Sequence, residues 1–115
     1  MNNRDYRILI KIVNEINVIN TLIHDYDLEK FMSDERTKRA VAMTLINVGE
    51  LVKNLTLELR QTYPNIPWKA ISGMRDLAAH KYQTLNMGNV WITVTNDIPE
   101  LKCKLELILH KSYPQ

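Results

Sequence analysis

Three series of apolar residues recur at steps of three and four along this chain. Leu9, Ile12, Ile16, Ile19, Ile23 and Tyr26 form the first, and Val41, Leu45, Val48, Val52, Leu55 and Leu59 the second. Met87, Trp91, Val94, Ile98, Leu101, Leu105 and Ile108 form the third. Such steps draw one apolar stripe down an α-helix, whereas a half-buried strand needs alternation. Glycine and proline number only three and four, so the turn punctuation of a strand-rich fold is nearly absent. The chain is expected to be all-α, an up-and-down bundle of four to five helices. Its 115 residues suit a single domain, 1-115, around one core.

Helix boundaries follow from caps and breakers. The first helix is expected from about Asp5 to Tyr26 and the second from about Ser33 to Gln61. Ser33 suits the N-cap, with Asp34 and Glu35 in the first turn where the helix dipole favours anions. TYPNIPW reads as a loop, because Pro64 and Pro67 do not fit a helix interior. Pro67 suits a first helical position, so a shorter helix begins near Trp68. Leu85 to Gly88 reads as a break, and the last stripe runs to Leu109. Pro99 falls inside that stripe without shifting its phase, which leaves one kinked helix or two helices abutting at Asp97. The tail HKSYPQ is expected to fray. The stripes of the first two helices are long enough for a homodimer to bury one of them.

Composition excludes several classes. With 45% hydrophobic and 24% charged residues, the chain reads as a soluble globular protein. No apolar run is long enough to span a bilayer, and the charged N-terminus MNNRDYRILIKIVNEI lacks the form of a signal peptide. One cysteine, Cys103, excludes an internal disulfide framework and a Cys-rich metal site, so a cytoplasmic location is expected. A net charge of +2 does not by itself announce a nucleic-acid binder. Arg36, Lys38 and Arg39 cluster, as do Lys102 and Lys104. These read as solvated helix faces, or, if a nucleic acid binds elsewhere on the chain, as an extension of its path through Arg36, Lys38 and Arg39.

The densest group of ionisable side chains is GMRDLAAHKY, Gly73 to Tyr82. On an α-helix Asp76 and His80, four apart, share a face, where the carboxylate can fix the imidazole tautomer and favour its protonated form. Arg75 and Tyr82, seven apart, also share a face. Arg75 and His80 diverge by about 140°, so both reach one substrate only if the helix unwinds or a second subunit closes the site. Arginine and histidine without a metal suit RNA phosphodiester cleavage. The 2′-hydroxyl is the nucleophile, the histidine moves a proton near neutral pH, and the arginine holds the phosphate oxygens. His24, His80 and His110 have no metal-ligand spacing. The residues alone equally allow a structural Asp–His hydrogen bond and a packed arginine.

RDLAAHKY matches Arg, four residues, His, one residue, Tyr, and in this it resembles the HepT toxins of the HEPN superfamily. RAVAMTLINVGELVKNL, with Gly49 and Glu50, is similar to the family's second helix. YPNIPWKAISGMRDLAAHKY is similar to its loop and motif helix, and VWITVTNDIPELKCKLELIL to its closing helix with an Asp-x-Pro-x-Leu feature. The resemblance implies a HEPN-like homodimer with two motif copies facing each other across a cleft. It implies metal-independent ribonuclease activity on tRNA or mRNA, with Arg75 and His80 as the catalytic pair and no cofactor. It further implies a type II toxin–antitoxin system whose partner, the nucleotidyltransferase MNT, blocks the toxin by transferring AMP to Tyr82. The alternative is a non-catalytic helical dimer that binds a nucleotidyltransferase or a nucleotide.

Other residues complete the expected site. Lys81 can bind phosphate or stand solvated, and Asp76 supports His80. A helix-interior glycine costs roughly 1 kcal/mol, so Gly49 points to close packing or to room beside the site. Glu50, if it faces inward, needs a partner, and Arg75 is the candidate. That pair is either structural or site-shaping. Trp68, Trp91 and the methionines read as core, Asn47 as a polar core or face residue, and Cys103, His24 and His110 as inert surface or satisfied groups.

Overall fold

The computed structural model describes residues 1–79 and 82–112, without the side chains at 78, 79 and 82. The chain is all-α, and no strand occurs among the described residues. In order, α1 is Asn3–Leu22, α2 Leu28–Ser33, α3 Glu35–Lys53, α4 Leu57–Thr62 and α5 Trp68–Ser72. Two 3₁₀ segments follow, Gly73–Ala79 and Tyr82–Thr84. α6 is Met87–Ile92 and α7 Ile98–Ser112. Thr93–Asp97 between them is a π-helical turn.

The three apolar stripes converge on one core. Leu9, Ile12, Ile16 and Ile19 of α1 meet Val41, Leu45, Val48 and Val52 of α3 and Val94, Ile98, Leu101 and Leu105 of the last helix. All are buried. Each such side chain contributes roughly 1.5–3 kcal/mol of transfer free energy. The stripes of α1 and α3 are therefore consumed within one chain, so a dimer must use another face. Phe31 of α2, fully buried, stacks against Trp91 with ring centroids 5.0 Å apart and ties the α2 corner to α6.

Caps decide where the rods stop. α1 ends at Leu22 rather than Tyr26: Asp25 takes φ 61°, a left-handed turn that aspartate tolerates, and Asp27 then caps α2. Asp34, not Ser33, caps α3, accepting from the Thr37 amide at 3.1 Å. Asp34 also accepts from the hydroxyls of Tyr26 and Thr37. The Tyr26 hydrogen bond foremost, with those from Thr37, lowers its pKa from 3.8 to about 2. The second expected helix is two helices. Asn54 closes α3 and Thr56 caps α4. Buried Asp5 accepts from the Thr56 amide at 3.1 Å and its hydroxyl at 2.6 Å, fastening α1 to this junction.

Pro67 is the residue before α5 rather than its first turn. At Pro99 the helix remains one continuous rod with a local fault. Proline supplies no N–H for the Thr95 carbonyl, and the turn widens so that the Ile98 amide reaches back five residues to Thr93. Met1, Met32 and Met43 lie on the surface, so the core reading of the methionines holds only for buried Met87 and partly buried Met74.

Candidate active site

The motif begins where α5 tightens into the 3₁₀ segment Gly73–Ala79. A seven-residue 3₁₀ run is long for this geometry, and such stretches mark hinges or functional strain. Residues three apart eclipse on a 3₁₀ helix. Met74 and Leu77 are three apart and both pack, partly buried, against the core. His80 and Lys81 lie outside the described residues, as does the Tyr82 side chain, so neither the Asp76–His80 stack nor the Arg75–Tyr82 pairing falls within them.

Gly49 seats this segment on α3. A Cβ there would stand 2.5 Å from the Arg75 amide nitrogen and 3.1 Å from the Met74 carbonyl carbon and the Ser72 carbonyl oxygen. Only a glycine permits that approach of two backbones. One residue further along, Glu50 meets the motif: Arg75 donates to its carboxylate, Nη1 to Oε1, at 3.3 Å. The partner expected from the sequence is the partner found. On its other side, Arg75 Nε lies 3.7 Å from Asp76 Oδ1, so Asp76 is engaged with the arginine.

The guanidinium is thus flanked by two carboxylates, yet the side chain of Arg75 remains 39% exposed and that of Glu50 48%. At such exposure an ion pair is worth at most about 1 kcal/mol. The pairs leave the guanidinium part-exposed, with N–H donors to spare. A shallow groove of about 380 Å³ lies between α1 and α3, walled by Lys11, Asn14, Asn47 and the Glu50 of the pair among others. Asn47 is exposed there and donates to Glu15 at 2.8 Å.

The remaining expectations sort clearly. Lys38 is buried and folds onto Glu35 at 2.8 Å, and Arg39 approaches the same carboxylate at 3.6 Å, so this cluster is not a row of free cations along an RNA path. Trp68 is core, its Nε1 donating to the Tyr63 carbonyl at 2.9 Å. His24, His110 and Cys103 are exposed. Among the described residues no group of three or more His, Cys, Asp or Glu could hold a metal ion. No described helix is long and apolar enough to cross a membrane.

An all-α bundle with Arg-x4-His-x-Tyr starting on a glycine-seated 3₁₀ segment defines a HEPN-type protein. The family model described as ribonuclease HepT-like matches residues 12–108. The chain belongs to this HepT-like ribonuclease family. It is 36% identical over 100 residues to a protein named as a candidate RNase of Caldanaerobacter subterraneus subsp. tengcongensis, covering 87% of this chain and 89% of that one. A candidate RNase of Methanocaldococcus jannaschii is 36% identical over 101 residues, 88% of this chain and 87% of the relative. A probable ribonuclease HepT of Thermococcus cleftensis is 35% identical over 103 residues, 90% and 92% of the two chains. No solved structure matches the chain.

Met74, which the sequence marks with the other methionines as core, is the partly buried residue beside Arg75. The sequence did not mark the cavity on its flank, formed with the 65–67 loop and α7. No spacing in the sequence announces the 3₁₀ segment, because the single step of three between Met74 and Leu77 also fits an α-helix.

Proposed function

We propose that the protein is the toxin of a HepT/MNT pair, a cytoplasmic, metal-independent endoribonuclease acting as a single-domain homodimer. The observation that carries this reading is the placement of Arg75: its backbone rests on Gly49 and its guanidinium lies between Glu50 and Asp76, half open to solvent. Membership of a ribonuclease family supports RNA as the substrate.

In this reading the 2′-oxygen of the RNA attacks the neighbouring phosphorus and the P–O5′ bond breaks, leaving a cyclic phosphate and a free 5′-hydroxyl. His80 moves the proton from the 2′-hydroxyl towards the departing 5′-oxygen. Arg75 binds the phosphate oxygens as charge grows on them, and Lys81 adds a cation. Glu50 and Asp76 hold Arg75 in its working direction. The motif of a second copy completes the cleft. AMP carried on Tyr82 would add an anionic, bulky group to the motif and repel the RNA phosphate, which is the control the antitoxin would exert.

Purified protein should degrade total RNA in EDTA, and Arg75→Ala and His80→Ala should each abolish the cleavage while remaining folded. Intact RNA with wild type, or equal cleavage by His80→Ala, sinks the reading. Co-expression with the MNT nucleotidyltransferase should add mass in units of AMP. A Tyr82→Phe variant that still gains this mass rejects Tyr82 as acceptor.

A further inference from the structure

A cavity of about 330 Å³ opens beside the motif segment, between the 65–67 loop, α5 and the start of α7, with Asp97 at the end of the π turn. Met74, the residue before Arg75, forms part of its wall. Buried Ile71, Ile98 and Leu101 make an apolar floor, while exposed Asp97 and part-exposed Lys104 stand at the rim. The stretch from Asp97 to Leu101, which the ribonuclease chemistry leaves unused, supplies much of this lining. Pro99 shapes it: the fault it forces widens the helix up to Asp97, at the mouth of the cavity.

We propose that this cavity is a base subsite for the RNA substrate and that it takes guanine, an inference that rests on the ribonuclease reading. Its volume lies at the small end of ligand pockets, roughly 300–1,000 Å³, which suits one base with the ribose left outside. The apolar floor receives the ring, and the rim reads its edge. Asp97 is an acceptor-only carboxylate with no hydrogen-bond or ion-pair partner among the described residues. Lys104 has three donors. Two are directed at Glu100, 3.2 Å away, and the Asn65 carbonyl, 3.4 Å away, and one is left for a ligand. Asp97 and Lys104 are two helical turns apart and so share a face.

Guanine presents two adjacent N–H donors, N1 and N2, next to one acceptor, O6. The two donors match the Asp97 carboxylate and O6 matches the spare Lys104 donor. Adenine and cytosine each set an acceptor beside their amino donor, and uracil sets one donor between two acceptors, so each leaves a carboxylate oxygen against an acceptor. Single-stranded RNA is read by this edge when its bases are splayed out. The wall of the cavity includes the residue next to Arg75 in the chain, which places the subsite on the motif's own segment.

Fluorescence anisotropy tests this with short 2′-O-methyl oligouridines carrying a single G, A or C. These cannot be cut by 2′-hydroxyl attack, so binding is read apart from cleavage. The G oligonucleotide should bind wild type about tenfold more tightly than the others. Asp97→Asn, which swaps one acceptor for a donor, should erase the preference without moving the unfolding midpoint. Equal affinity for all three oligonucleotides overturns the subsite, as does a preference that survives in Asp97→Asn. Absent binding to all three, with ordinary RNA still degraded, removes the subsite and leaves the ribonuclease reading standing. A guanine preference without any RNA degradation does the reverse. If Asp97→Asn weakens only nucleotidyltransferase binding, the cavity is a protein contact and the proposal fails.

Discussion

Gly49→Ala separates site geometry from fold stability. The new methyl would meet the Arg75 amide nitrogen at 2.5 Å and two more backbone atoms at 3.1 Å. None is the end of a flexible side chain, so the motif segment itself must retreat. Ordinary contact begins at 3.4 Å, which sets the retreat at about 0.9 Å. Two energies then compete. Alanine gains roughly 1 kcal/mol over glycine inside a helix, and overpacking costs roughly 1–3 kcal/mol. The net change runs from nothing to a loss of about 2 kcal/mol, which leaves a domain of ordinary stability almost wholly folded. Catalysis is less forgiving, since a misplacement of about 1 Å can cost 10²-fold. RNA cleavage should therefore fall by about that factor while urea unfolding moves little. Gly73→Ala is the control. Nothing lies within 4 Å of its Cβ and its φ is −65°, so it should be stabilised by about 0.4–1 kcal/mol and keep its rate. A Gly49→Ala protein that is more stable by the full helix gain and fully active would refute the close approach.

Other perturbations probe separate links. Glu50→Gln should cut kcat/KM about tenfold through a misaimed Arg75 while changing stability by less than about 1 kcal/mol, because the pair is half exposed; an unchanged rate denies Glu50 a positioning role. Phe31→Ala should cost about 3–5 kcal/mol and alter tryptophan emission through Trp91; a loss below 1 kcal/mol contradicts its place in the core. Asp34 titrates lower folded than unfolded, so its stabilisation is complete above 3.8 and disappears as pH falls towards about 2. Asp34→Asn should accordingly flatten the acid limb of the stability curve, and equal slopes for the two proteins dismiss the Tyr26–Asp34–Thr37 network as its cause.

The stripes made the packing legible. Every residue of α1 and α3 expected to face inward at the middle of those rods is buried, because spacing and burial are the same constraint on a helix. Gly49 was legible for a different reason: a glycine in mid-helix needs an explanation from a neighbour, and the segment at Arg75 supplies it, next to the acid for which Arg75 was the candidate partner. Helix ends were less visible. The stripe keeps phase through Val52, Leu55 and Leu59, so periodicity runs past the junction where Asn54 and Thr56 end one helix and begin another. The same blindness hid the turn at Asp25, which rests on one positive φ. The 3₁₀ winding of Gly73–Ala79 was hidden by reliance on the commoner α geometry. The stripe also suggested a dimer face, which the chain's own core absorbs.

In the proposed reaction Arg75 acts on an RNA phosphate without help from a metal. The most direct measurement of this is the initial rate of RNA cleavage in EDTA by wild type beside Arg75→Lys, together with the chemistry of the new ends. Lysine keeps the charge and loses the planar fork that grips phosphate oxygens. Wild type should cut and leave 2′,3′-cyclic phosphate ends, and Arg75→Lys should be slower by about 10²-fold at an unchanged unfolding midpoint. RNA that stays intact in EDTA, or a lysine variant that cuts as fast as wild type, would contradict it.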